Sequence, residues 1–163
     1  MKYRNYGKGT RGAALEALCR VDKDGSYSSA VLDKAIEERS LSSADKALAT
    51  RLVYGTLQKR IYLDYCIEQA SGRKISKMDT PVLNAMRLGA YQIIFCDKIP
   101  NSAAVNEAVE SVKLCGFTSA KGLVNAVLRK LSNEEPILPE GEIERLAVTH
   151  SLPVWLVYHL RKS

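Results

Sequence analysis

The sequence predicts an all-α protein: a bundle of about seven helices, then an acidic linker and one short, truncated C-terminal helix. Three observations carry this. Apolar residues recur at i, i+3, i+4 and i+7 along most of the 163 residues. No alternating, strand-like pattern of useful length occurs. The apolar runs are punctuated by residues that start and stop helices. Residues 10–23 set Ala14, Leu18 and Val21 on one face with Leu15 beside them, and Asp24-Gly25-Ser26 ends the run. A shorter helix from about Ser28 to Arg39 turns Val31, Leu32, Ala35 and Ile36 inward. Ser42-x-x-Asp45 opens the next as a capping-box-like start, with Ala44, Ala47, Leu48, Leu52 and Gly55 as its face. The pattern continues through Ile61, Tyr65 and Ile67 and stops at Ser71-Gly72. Thr80-Pro81 reads as an N-cap followed by proline at the first helical position. The helix after it, "VLNAMRLGAYQIIFC", is apolar on almost every side, which predicts a central helix packed all round. Val105, Ala108, Val109 and Val112 form a stripe ended by Cys115-Gly116, and Val124, Val127, Leu128 and Leu131 repeat it.

Residues 132–144, "SNEEPILPEGEIE", hold two prolines, a glycine and five glutamates, and read as an exposed connector. Pro153 then starts an apolar run with Trp155, Leu156, Val157 and Leu160. Such a segment needs a surface to bury it: either it folds back on the bundle, or its packing partner lies in chain beyond it. The organisation expected is a bundle over residues 1–132 and a connecting segment over 133–163.

Composition narrows the function. Apolar residues make up 46% and charged residues 26%, the balance of a globular chain. No apolar run reaches the roughly 20 residues of a membrane span, and "MKYRNYGKGTRGAALEAL" has no apolar core of a signal peptide, so a cytoplasmic protein is expected. Cys19, Cys66, Cys96 and Cys115 are widely spaced and read as buried free thiols; with His150 and His159 they form no metal-binding spacing, and no metal is expected. There is no Gly-rich nucleotide loop, no G-x-S-x-G and no histidine near a nucleophile, so no catalytic residue is assigned. The carboxylates fall mostly on outer helix faces.

The charge is uneven. Of the net +6, residues 134–163 hold five acids and three bases, so the first 133 residues carry 21 bases against 13 acids, a net of +8. A body this basic fits a polyanion partner. Three groups stand out: Lys2, Arg4, Lys8 and Arg11 with Tyr3 and Tyr6 between them; Lys59, Arg60, Arg73, Lys74 and Lys77 around the two ends of one helix; and Lys121, Arg129 and Lys130. Cations for phosphates and rings for unpaired bases point to single-stranded RNA. Arg4, Lys8, Arg11, Lys59, Arg60, Arg73 and Lys74 are the candidate RNA-binding residues.

"LVYGTLQKRIYLD", "MRLGAYQIIFCDKIPNSAAVNEAVESVKLCG" and "KGLVNAVLRKL" resemble the NusB family in order and spacing over about residues 8–132. The resemblance implies a seven-helix fold in two subdomains and RNA binding in which a basic N-terminal segment takes part. That segment is thinner here than in many antitermination factors of the family. The family also includes the N-terminal domains of RsmB-type (Sun/Fmu) ribosomal RNA cytosine-5 methyltransferases. "THSLPVWLVYHL" is similar to the Ser-x-Pro-x-Trp segment that follows the NusB-like domain in those enzymes, and "VNAVLRKL" with Arg129 also resembles that branch. This implies ribosomal RNA as partner, a methyltransferase domain of the same protein beyond residue 163, and S-adenosylmethionine and a cysteine nucleophile in that domain, with no cofactor held by these residues. The alternatives are an antitermination factor acting on leader RNA with a ribosomal protein, and a helical protein-interaction module.

Two Val-Asn pairs, Val105-Asn106 and Val124-Asn125, lie inside these apolar helices. Asparagine is a poor helix former. Both are expected as buried struts that fix helix packing, with direct RNA contact as the functional alternative.

Overall fold

The computed structural model describes residues 4–162, and among these every regular element is a helix. The elements are α1 (Thr10–Asp24), α2 (Ser29–Glu37), α3 (Ser43–Gln58), α4 (Arg60–Ser71), α5 (Thr80–Phe95), α6 (Asn101–Leu114), α7 (Lys121–Asn133), α8 (Glu142–His150) and α9 (Val154–Arg161). Short 3-10 turns lie at Ile75–Lys77 and Thr118–Ala120. Helices α1–α3 pack together as one group and α4–α7 as another; α5 touches both.

The all-round apolar sequence of α5 has the expected result. Val82, Leu83, Ala85, Met86, Leu88 and Ala90 are buried on successive faces. Two glycines set its distance to neighbours. A Cβ on Gly55 of α3 would lie 2.0 Å from Cζ of Tyr91, and one on Gly89 would lie 2.6 Å from a Leu128 methyl of α7. Both seams close because those side chains are missing. Helix α1 is also buried nearly all round, from Ala13 to Cys19, which its single expected stripe understates.

Several local expectations shift. The run from Ser42 to Gly72 divides at Lys59 into α3 and α4. Ser42 caps α3 as expected, its hydroxyl accepting from the Asp45 N–H at 3.1 Å. Its buried face is Ala49, Leu52, Val53, Gly55 and Thr56; Ala44 and Ala47 are exposed. Alanine carries too little apolar area to fix a face by itself. On α4, Leu63, Cys66 and Ile67 are inward, while Ile61 is exposed. Asp79, not Thr80, precedes the first turn of α5, and makes no side-chain cap.

The two asparagine struts are not there. Asn106 is exposed, and the half-buried Asn125 accepts from Nε of Arg129, 3.0 Å away on the same helix. Following an inward Val places an asparagine 100° round the helix, off the apolar stripe. The strut is Asn84 on α5, 1% exposed. Its Nδ2 donates to Oδ2 of Asp22 at 2.9 Å, and its Oδ1 accepts from Nη1 of Arg87 at 3.1 Å. Arg87 also donates from Nη1 to Asp22 at 3.1 Å and from Nε and Nη2 to the two oxygens of Asp64 at 2.6 and 2.9 Å. One polar knot thus joins α1, α4 and α5. Glu16, 3% exposed, is a second inward carboxylate, paired with Arg39 at 3.3 Å and Arg20 at 3.7 Å. These three carboxylates depart from the outer-face placement expected.

The tail holds two helices, not one. Part of the expected connector forms α8, with Glu142 and Glu144 in its first turn, where the helix dipole favours them. Helix α8 packs on α4, and α9 on α8. The linker is pinned to α4: Gln69 Oε1 accepts from the Ile137 N–H at 3.1 Å, and the Tyr65 hydroxyl donates to the Ile137 carbonyl. Ser151, in the left-handed conformation (φ 54°), accepts on Oγ from the Tyr62 N–H at 3.3 Å. That N–H lies in the first turn of α4, where no intrahelical acceptor exists. The tail therefore folds back on the bundle, but incompletely: Val157 is buried while Trp155 remains 69% exposed, with Val154, Tyr158 and Leu160 exposed around it.

Candidate nucleic-acid interface

The last turn of α5 gathers cations from three other elements. Arg11, in the first turn of α1, donates from Nε to Oε1 of Gln92 at 3.1 Å; Gln92 is buried and anchored by donating to the Leu88 carbonyl at 3.0 Å. Arg51 of α3 reaches Sγ of Cys96 from Nη2 at 3.6 Å. Lys59, at the α3–α4 break, holds Nζ 5.4 Å from the centroid of the Phe95 ring. None of these three cations has a carboxylate within 4.0 Å among the described residues. A helix C-terminus carries partial negative charge, which favours cations held there.

Rings accompany the charge. Phe95 is 38% exposed, with its centroid 5.5 Å from that of Tyr91 and 5.9 Å from that of Tyr62. Cations beside an exposed ring suit a single-stranded nucleic acid: phosphate takes the charge, and a base can stack on the ring.

The candidates named from sequence divide. Arg11 and Lys59 reach this cluster. Lys8 is exposed three residues before Arg11; Lys2 and Tyr3 lie outside the described residues. Arg4 is exposed but lies over the Phe117 ring, 5.0 Å from its centroid. Arg60 is paired with Asp22 at 3.5 Å and belongs to the edge of the polar knot. Arg73 and Lys74 are exposed at the far end of α4, about 18 Å along a 12-residue helix from Arg60. Lys121, Arg129 and Lys130 are exposed on α7. Arg51, Phe95 and Tyr62 were missed. Phe95 sits in an apolar run that reads as core, and Arg51 stands alone in sequence; only the approach of α3 to α5 joins them.

The four thiols are buried. Burial pushes Cys19 up to about 12 and Cys66 to about 11, and raises Cys96 and Cys115. They stay protonated at neutral pH and are inert as nucleophiles. Among the described residues no group of His, Cys, Asp and Glu side chains could hold a metal ion, and no helix is long and apolar enough to cross a membrane.

Residues 8–133 match the NusB family. The chain belongs to the NusB family. It is 39% identical over 150 residues to the probable ribosomal RNA small subunit methyltransferase B of Bacillus subtilis (strain 168), a match spanning 90% of this chain and 33% of that protein. The chain therefore spans about a third of the length of this relative. Among solved structures, NusB-family members align on it. A chain in the crystal structure of antitermination factors NusB and NusE in complex with dsRNA has a TM-score of 0.70 and 26% identity, covering 78% of this chain and 96% of that one. PH0851 aligns with a TM-score of 0.78 and 19% identity, covering 99% of this chain and 36% of that one, which extends the shared fold through α8 and α9.

Proposed function

We propose that this NusB-family chain binds ribosomal RNA as the N-terminal part of an S-adenosylmethionine-dependent ribosomal RNA cytosine-5 methyltransferase in the cytoplasm, and positions the RNA for a catalytic domain of the same protein. The observation that carries the reading is the last turn of α5, where Arg11, Arg51 and Lys59 have no carboxylate partner among the described residues and Lys59 lies at the exposed Phe95 ring. The relative's name supplies the reaction class. A tethered RNA-binding domain raises the local concentration of its target at the linked active site.

The described residues do not fit S-adenosylmethionine: they offer no strand edge and no Gly-rich loop to cradle it, and the thiols are buried and protonated. In this reading the cofactor and the nucleophile belong to the remaining two thirds of the relatives' length. The exposed face of α9, with Trp155 at its centre, is the surface on which that domain would pack.

The test is fluorescence anisotropy of this chain with small-subunit ribosomal RNA transcripts, alongside calorimetric titration with S-adenosylmethionine. Binding at low salt that weakens steadily with added salt, and no heat from the cofactor, are the expected results. Absence of RNA binding at low salt would leave the interaction-module reading; a micromolar cofactor affinity would reveal a site on this chain. NusB-type antitermination is the second reading, favoured by the 26% identity to the NusB of the RNA complex. A preference for leader RNA plus a ribosomal protein over ribosomal RNA would select it.

A further inference from the structure

The linker that crosses from α7 to α8 does not lie flat on the bundle. It roofs a recess of about 540 Å³, a size ordinary for small-ligand sites. Tyr62 and Phe95 form one wall, and Pro136 and Leu138 of the linker form another. Asn101, at the start of α6, Ser132, Thr149 and the two carboxylates Glu134 and Glu135 supply polar groups. Lys59 sits at the ring of Phe95. The roof lies outside residues 8–133, so the recess needs the tail and is not formed by the NusB bundle alone.

We propose that this recess takes one unpaired RNA nucleobase, stacked on Phe95 and Tyr62, and prefers bases that carry an exocyclic amine. The inference rests on the RNA-binding reading above. Each wall has the chemistry a base needs. The two rings meet edge to face at 65°, leaving Phe95 exposed enough for a base to stack on it. Burial, the Cys66 thiol beside it and, least, Glu135 push the Tyr62 hydroxyl up to about 12, so it is a neutral hydrogen-bonding group at pH 7. A carboxylate accepts from the amine of cytosine, adenine or guanine, whereas uracil offers it only one N3–H flanked by two carbonyl oxygens. Lys59, whose Nζ lies 5.4 Å from the Phe95 ring centroid, is placed for the adjoining phosphate. The strap itself is held to α4 by Gln69 and Tyr65, which bond Ile137 between Pro136 and Leu138.

The experiment measures anisotropy of labelled single-stranded 12-mers of C, A and U with the parent chain, Phe95→Leu and Glu135→Ala, with circular dichroism as the folding control. The parent should bind C and A several-fold more tightly than U. Phe95→Leu should weaken binding to all three by about tenfold, the size of one lost base–ring stack. Glu135→Ala removes a negative charge, so overall affinity should hold or rise while the C-to-U ratio falls towards one. Photo-cross-linking of the parent to 5-iodocytidine RNA keeps the idea testable if Phe95→Leu misfolds: the adduct should map to Phe95 or Tyr62. A parent that binds RNA, with unchanged affinity in Phe95→Leu and adducts elsewhere, overturns the base pocket alone and leaves the recess to an apolar side chain of a protein partner. A parent that binds no RNA at low salt overturns both this inference and the reading it rests on.

Discussion

The two halves of α5 use the same residue types in opposite ways. In the first half, Arg87 is 7% exposed and makes four hydrogen bonds, to Asp22, Asp64 and Asn84. In the last turn, Arg11, Arg51 and Lys59 are drawn to the helix but meet an amide, a thiol and a ring instead of carboxylates. A buried cation must be matched by counter-charge, because desolvation leaves it no other compensation. A cation at the surface can stay unmatched until a ligand arrives. The lesson is that the count of basic residues says little by itself; the presence or absence of a carboxylate partner separates scaffold from candidate site.

The comparison breaks first at Arg87. Arg87→Met leaves Asp64 partly buried without its cation and Asp22 with only the longer ion pair to Arg60, and should cost about 3 kcal/mol of stability in urea unfolding. A loss under 1 kcal/mol would mean that the knot is as dispensable as a surface pair. The same variant should leave the salt dependence of RNA binding unchanged.

A smaller effect is on stability at high pH. The buried thiols keep protons that the unfolded chain releases above its ordinary value near 9, so the folded state binds more protons there and stability falls as pH rises. Unfolding midpoints should hold from pH 7 to about 9 and then decline towards pH 11. Cys66→Ala, which removes one such group, should flatten that decline. A midpoint that rises above pH 9 would contradict the sign.

Much of this was legible in the sequence. The all-α class, the central α5 and the Ser42 cap follow from periodicity and punctuation. The polar knot did not, because Asn84 and Arg87 sit in an apolar run and their partners Asp22 and Asp64 are 62 and 23 residues away. The asparagines that drew attention, Asn106 and Asn125, were one position off the stripe and face outward. The candidate surface was half legible. Lys8, Arg11 and Lys59 advertise themselves by charge; Arg51 and Phe95 become a site only through the α3–α5 seam closed at Gly55. The docking of the tail rests on Ser151, Tyr65 and Gln69, whose hydrogen bonds leave no periodic trace.

The claim that the unmatched cations at the end of α5 are the RNA surface is tested most directly by a salt titration of RNA binding. Arg11, Arg51 and Lys59 are replaced by glutamine together, with Arg73→Gln/Lys74→Gln as the comparison and circular dichroism as the control. For single strands, log affinity falls with log salt by about 0.7 per neutralised phosphate. The triple variant should flatten the slope by roughly 2, and the Arg73/Lys74 variant should keep the parental slope. A triple variant that folds and keeps the parental slope would contradict the account, and a flattened slope in the Arg73/Lys74 variant would move the RNA surface to the far end of α4.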